Sequence, residues 1–116
     1  MVTPIPLKPS RFRRGDIWLV NLNPTVASGI QKTRPCVIIS PAEMHDFLRT
    51  AIIAPMTTGS HPAPFRIAVR HAGKSGLVLL DQIRTVDKTR LVKRSGALSP
   101  GVLKETLNTL GEIFAE

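Results

Sequence analysis

Polar residues flank three apolar, strand-like runs of this sequence. They are Lys32, Thr33 and Arg34 before the first run, Thr57 and Thr58 after the second, and Asp81, Gln82 and Arg84 at the end of the third. An arginine side chain stays charged and offers forked donors that suit phosphate oxygens. If the three strand ends meet on one side of a barrel, these residues form one polar patch. The same residue types are also common in plain turns, and periodicity alone does not separate the two interpretations.

The charge of the chain favours an anionic partner. Sixteen Lys and Arg residues against eight Asp and Glu residues give a formal net charge of +8. On so small a body this charge creates a positive field that draws polyanions. The composition therefore suggests nucleic acid or an acidic protein as the partner. Much of the basic charge falls in residues 1–14 and 84–94, where a solvated surface explains it equally well.

Several kinds of catalytic site find no support in the sequence. His45, His61 and His71 are too far apart for helical metal ligands, so we expect surface or loop roles for them. The single Cys36 can form neither an intrachain disulfide nor a thiolate metal site. Neither a GxxxxGK[ST] loop nor a GxSxG elbow occurs, which argues against nucleotide hydrolysis and acyl transfer. No metal ion or other cofactor is expected.

The length of 116 residues and the hydrophobic content of 42% fit one compact domain. We assign a flexible, proline-rich extension to residues 1–11 and a single domain to residues 12–116. No apolar run approaches the roughly 18 residues needed to cross a bilayer, and the N-terminus lacks the apolar region of a signal peptide. A cytoplasmic protein is the expectation.

Apolar runs bounded by turn residues predict a mainly β fold. Strands are predicted over 15–22, 36–40, 50–55, 65–69 and 77–86, with a shorter one within 91–98. The strand over 36–40 is apolar throughout and is expected to be central. Because the strands do not alternate with helices, the sequence favours a small curled antiparallel barrel over a doubly wound sheet.

Two helices are predicted. A short one follows Ser40, which would cap it in a capping box with Glu43. A C-terminal helix follows the cap residue Ser99. Its apolar residues recur at helical spacing and are expected to pack together over the sheet. They are Leu103, Leu107, Leu110 and Phe114.

Four segments, "RRGDIWLVNLNPT", "TRPCVIIS", "IIAPMTT" and "LLDQIRTVDKTRLVKR", resemble the MazF/PemK family of bacterial toxin endoribonucleases in content, order and spacing. The resemblance runs along residues 12–114. It implies an SH3-like barrel of the MazF/CcdB type with a C-terminal helix, and a homodimer. It also implies sequence-specific, metal-independent cleavage of single-stranded RNA. A cognate antitoxin, with an acidic tail that occupies the RNA groove, is implied as the protein partner.

The resemblance also assigns roles to residues. Family members cut RNA by attack of the ribose 2′-OH on the neighbouring phosphorus, which leaves a 2′,3′-cyclic phosphate and a 5′-OH. Arg34 matches the catalytic arginine and Thr57 the catalytic threonine, while Asp81 aligns with an acid that one branch uses as its base. The expected RNA contacts come from the surrounding polar positions. They are Ser28, Gln31, Lys32, Thr33, Thr58, Gln82 and Arg84.

The chain also departs from the family pattern. The loop before "RP" usually carries a glutamate, and the matching position is Gly29. The branch with an aspartate base has a histidine in place of Ser28 and an arginine in place of Leu79. Weakened activity is therefore one expectation. Two alternatives are a toxin of the same barrel that acts by binding a protein such as DNA gyrase, and an RNA-binding module without nuclease activity.

Overall fold

The computed structural model describes residues 11–22, 33–59 and 61–116. Most of the predicted extension over 1–11 therefore lies outside the described residues. Within them, antiparallel strands form one curled sheet and two helices pack beside it. The strands are β1 (Asp16–Asn21), β2 (Thr33–Ile38), β3 (Thr50–Thr57), β4 (Arg66–His71), β5 (Lys74–Leu79), β6 (Arg84–Asp87) and β7 (Leu91–Ala97), and the helices are α1 (Ala42–Phe47) and α2 (Pro100–Phe114). The predicted mainly β class with a C-terminal helix is confirmed.

The sheet has the order β4-β5-β3-β2-β1-β7, and β6 also pairs with β3. The single strand predicted over 77–86 is wrong, because the chain breaks there into β5, a 3-10 turn over Leu80–Gln82, and β6. β5 pairs with the end of β3 at Met56 and Thr57, whereas β6 pairs with its first half. Both strands share one edge of β3, and the turn carries the chain from one to the other.

The central position predicted for β2 is confirmed, because this strand lies between β1 and β3. Its residues Cys36 and Ile38 belong to one buried cluster, with Trp18 of β1 among others, and Val37 belongs to a second. Successive strand residues point to opposite faces of a sheet. Both faces of β2 are therefore covered, which explains why its sequence is apolar without alternation.

The helix α2 covers one face of the sheet as predicted, with one exception. Ser99 caps it by accepting a hydrogen bond from the backbone N–H of Val102 at 3.3 Å. Leu110 is buried in the core, and Leu103 and Leu107 pack partly against it. Phe114 is 71% exposed, so its predicted place on the packed face is wrong. The last turn of α2 extends past the sheet surface that the earlier turns cover.

Two predictions about α1 are corrected. The side chain of Ser40 does not cap this helix, whose cap position is Pro41 and which has no side-chain cap. The Ser40 hydroxyl is bound to His45 instead, with 2.6 Å between Oγ and Nε2. His45 is completely buried rather than at the surface. The capping pattern failed because the buried imidazole takes the hydroxyl that the helix would have used.

The curl of the sheet brings its two outer strands together. His71 at the end of β4 lies 2.8 Å, from Nε2 to Oγ, from Ser95 of β7. Next to it, a Cβ atom on Gly96 would come within 3.1 Å of the His71 ring. The glycine therefore permits the close approach.

Neither helix in the described part of the chain is long and apolar enough to span a membrane.

Candidate active site

A cleft of about 320 Å³ opens where the curled sheet brings the ends of β2 and β3 near the β4–β5 hairpin. Its lining mixes a few apolar side chains with cations, hydroxyls and one imidazole. The lining residues are Arg34, Pro35, Met56, Thr57, Thr58, Val69, His71, Ala72, Lys74 and Gly76. Three of the sequence-predicted site residues, Arg34, Thr57 and Thr58, thus meet in one cleft, although Arg34 is more than twenty positions from the two threonines in the chain.

Arg34 is placed in the cleft by β2, which begins three residues earlier than the sequence predicted. It pairs with Val20 of β1, and the adjacent Pro35 pairs with Leu19. The side chain is exposed. Its guanidinium has neither an ion pair nor a hydrogen bond to any residue that the structure describes. Five charged donors are therefore available at the cleft to an incoming anion.

Thr57 is the last residue of β3, and its hydroxyl is held by the turn that follows. The Oγ1 atom accepts a hydrogen bond from the backbone N–H of Gly59 at 3.2 Å. Since a hydroxyl can accept and donate at once, its own hydrogen remains available for a group in the cleft. The backbone of Thr57 is also closely packed, because a Cβ atom on Gly76 would come within 2.7 Å of the Thr57 carbonyl oxygen.

Asp81 lies outside this cleft, in the 3-10 turn between β5 and β6. Its two carboxylate oxygens accept hydrogen bonds from Nε and Nη2 of Arg66, each at 3.3 Å. These hydrogen bonds from Arg66 are the main reason why the pKa of Asp81 lies below its usual value. A carboxylate with a lowered pKa and an arginine across both oxygens is a weak proton acceptor.

The predicted RNA contacts divide into three groups. Thr58 lines the cleft, whereas Thr33 is an exposed residue at the start of β2. Gln82 and Arg84 are exposed but do not line the cleft. The remaining predicted positions fall in the segment 23–32, outside the described residues. They are Ser28, Gln31 and Lys32, together with Gly29, the site of the departure from the family pattern.

His71 and Lys74 are cleft residues that the sequence analysis missed. They pair with each other at the end of the β4–β5 hairpin, and the turn between them is Ala72–Gly73, both with positive φ. A signal for His71 was present in the sequence. Ile67, Val69 and His71 are spaced two residues apart, so they lie on the same face of β4. Ile67 is buried in the core and Val69 packs against it, and His71 is the next residue on that face.

Cys36 follows the cleft residue Pro35 in β2 but is not a candidate nucleophile. Burial raises the pKa of its thiol to about 12, and the charges of Arg34 and Arg84 offset this only in part. The thiolate is the reactive form of cysteine. Cys36 is therefore a core residue. Among the described residues, no group of three His, Cys, Asp or Glu side chains could hold a metal ion.

Residues 13–114 match the model of the PemK-like, MazF-like toxin of type II toxin–antitoxin systems. The chain belongs to this family. Endoribonuclease PemK of Escherichia coli is 35% identical over 111 residues, which are 90% of this chain and 84% of the PemK chain. Endoribonuclease MazF of Staphylococcus epidermidis is 35% identical over 105 residues, 85% of this chain and 88% of that one.

The fold agrees with the family. A crystal structure of MazE–MazF (Form-III) from Deinococcus radiodurans superposes with a TM-score of 0.74 at 26% identity, covering 87% of this chain and 94% of that chain. The curled antiparallel sheet with a C-terminal helix is thus a MazF-like fold, as the resemblance implied. The segment from β2 to β5, which contributes the cleft residues, lies wholly inside the matched residues.

Proposed function

We propose that this protein is an endoribonuclease toxin that cuts single-stranded RNA at specific sequences by attack of a ribose 2′-OH on the adjacent phosphorus. The observation that carries the proposal is the meeting of Arg34 and Thr57 in one cleft, with both side chains free to donate hydrogen bonds. The PemK and MazF relatives, which are named endoribonucleases, support it. The products would be a 2′,3′-cyclic phosphate and a 5′-OH.

The two side chains suit different parts of this reaction. Negative charge grows on the non-bridging oxygens as the 2′-oxygen attacks phosphorus, and the guanidinium of Arg34 can bind two of these oxygens at once. The Thr57 hydroxyl would donate its free hydrogen to the same phosphate and so fix its position. Neither group is a good proton acceptor, because arginine stays protonated and a threonine hydroxyl is a very weak base.

The proposed partners are single-stranded RNA and a cognate antitoxin, with the toxin itself a homodimer. The net charge of +8 suits both RNA and an acidic antitoxin segment. The similar structure from Deinococcus radiodurans is described as a MazE–MazF complex, which supports an antitoxin partner. RNA contacts are proposed for the exposed positions around the cleft, with Thr33, Thr58, Gln82 and Arg84 as the described members of the set.

A test of the proposal uses a long single-stranded RNA incubated with the purified protein in EDTA, followed by mapping of the ends. We expect cleavage at defined sequences with cyclic phosphate ends. A second substrate carries one 2′-deoxy nucleotide at the mapped position, and it should resist cleavage because the nucleophile is missing. Cleavage of the deoxy substrate would overturn the mechanism. Growth arrest without cleavage of any RNA would favour a toxin that binds a protein, and RNA binding without cleavage would favour a binding module.

Replacing Gly76 with alanine should lower kcat/KM for RNA cleavage by about 10- to 100-fold, because small displacements of positioning groups are costly. The new Cβ atom would meet the Thr57 carbonyl oxygen at 2.7 Å and displace the end of β3. Gly59→Ala is the matched control, since a Cβ atom there meets nothing within 4 Å. Equal activity of Gly76→Ala and wild type in the steady-state assay would show that the Thr57 position is not critical.

A further inference from the structure

His71 has the position of a group that acts on the substrate in the cleft. It ends β4, lines the cleft together with Arg34 and Thr57, and is only partly buried. Histidine is the side chain whose charge changes in the neutral pH range, which makes it the most frequent proton acceptor in enzymes. The other titratable or charged residues that line the described part of the cleft are Arg34 and Lys74, and no carboxylate lines it.

The hydrogen bonds of the ring leave one nitrogen available. Nε2 lies 2.8 Å from the Ser95 hydroxyl oxygen, which can accept a hydrogen bond from it. In that tautomer the hydrogen is on Nε2 and the lone pair is on Nδ1. Within the described residues, Nδ1 has no hydrogen-bond partner. In this tautomer Ser95 holds the ring from β7 and Nδ1 can receive a proton.

The other candidates for this role are less suitable. The loop position that carries a glutamate in the family is Gly29, which has no side chain to accept a proton. Asp81 lies outside the cleft, with Arg66 bound across both of its carboxylate oxygens. Attack by the 2′-oxygen on phosphorus requires a group that accepts the proton of the 2′-hydroxyl. Among the described cleft residues, only His71 carries an imidazole, whose ring nitrogen can accept this proton.

We propose that His71 is the general base of the reaction and takes the 2′-hydroxyl proton on Nδ1, an inference that rests on the proposed endoribonuclease function. As the proton moves to Nδ1, the 2′-oxygen forms its bond to phosphorus and the bond from phosphorus to the 5′-oxygen breaks. A water molecule protonates the departing 5′-oxygen. The hydroxide that remains takes the proton from His71, which returns the ring to its neutral form.

The charged groups that share the described part of the cleft with His71 are both cations. Arg34 of β2 and Lys74 of β5 share the cleft with the ring, and β7 contributes the uncharged Ser95. On β7, Arg94 is paired with Asp16, and Lys93 is exposed and does not line the cleft. The charged residues of α2, which also packs against β4, are exposed and do not line the cleft: they are Lys104, Glu105 and Glu112. A base must be neutral to act, so activity should rise with pH to a plateau.

The first test compares pH profiles of kcat/KM for wild type, His71→Gln and the control His61→Gln, which changes an exposed histidine outside the cleft. We expect His71→Gln to lose activity by about 10²- to 10⁴-fold and to lose the rise with pH, whereas His61→Gln behaves as wild type. Binding of a non-cleavable 2′-deoxy RNA should be the same for all three proteins. This binding measurement shows that the variant is folded and that the loss lies in the chemical step.

A second substrate distinguishes a role of His71 as general base from a role as general acid. It carries sulfur in place of the bridging 5′-oxygen, a leaving group that needs no protonation. The defect of His71→Gln should persist with it, because removal of the 2′-proton is still required. Recovery of activity with the sulfur substrate would overturn the assignment as base. A His71→Gln variant with wild-type rate and pH profile would overturn this inference alone, whereas a wild-type protein that cuts no RNA would overturn the proposed function as well.

Discussion

Replacing Arg34 with alanine should lower the rate of RNA cleavage by about 10²- to 10³-fold, the loss typical of removing a donor that stabilises transition-state charge. The free energy of unfolding should change by less than about 0.5 kcal/mol, as for other exposed positions. The side chain of Arg34 is exposed and makes no ion pair within the described residues. Single-turnover cleavage and thermal unfolding measure the two effects separately.

The matched control for this variant is Arg13→Ala. Arg13 is also exposed, but it lies near the opposite end of the β1–β2 pair, where the backbone N–H of Gly15 binds the carbonyl oxygen of Ile38. Removing its charge lowers the general attraction for RNA without touching the cleft. Arg34→Lys keeps the charge but loses the forked geometry, so its rate should fall between those of wild type and Arg34→Ala. Equal losses for Arg13→Ala and Arg34→Ala would show that Arg34 contributes only through net charge.

The sequence predicted the strands well where one local pattern controls them. The apolar run around Val37 marked β2 as central, and the order of strand and turn signals excluded a doubly wound sheet. The pattern failed at residues 77–86, where apolar spacing continues through a corner. That corner exists because β5 and β6 both need the same edge of β3, a long-range constraint that no local window contains.

The candidate site, like the fold, could be predicted from the sequence only in part. Arg34 and Thr57 could be chosen from the sequence because they belong to motifs that the family shares. For His71 the sequence indicated only a face of β4, since its importance depends on β4 and β7 meeting across the curl of the sheet. Asp81 is the opposite case. Its position in the sequence made it a candidate base, and only the structure reveals the Arg66 side chain bound across it.

A buried imidazole holds several segments of the fold together on the side of α1. The Nδ1 atom of His45 donates a hydrogen bond to the carbonyl oxygen of Phe12 at 3.0 Å, because a carbonyl can only accept. Nε2 is then the acceptor for the Ser40 hydroxyl at 2.6 Å. Ser40 Oγ in turn accepts from the backbone N–H of Ile52 at 2.9 Å. The ring thus connects the chain before β1, the start of α1 and the middle of β3.

Replacing His45 with alanine should therefore lower the free energy of unfolding by about 3 kcal/mol, the sum of a cavity and of buried polar groups left without partners. That is a large share of the roughly 5–15 kcal/mol that stabilise a domain, and the Tm should fall by roughly 10 °C or more. The control is His61→Ala, which removes an exposed imidazole and should change the Tm very little. A Tm of His45→Ala within a degree of wild type in calorimetry would show that the network contributes no net stability.

Because His45 lies outside the cleft, this variant should still cut RNA at temperatures where it is folded. The fold and the chemistry thus depend on two different histidines, His45 in the core and His71 in the cleft.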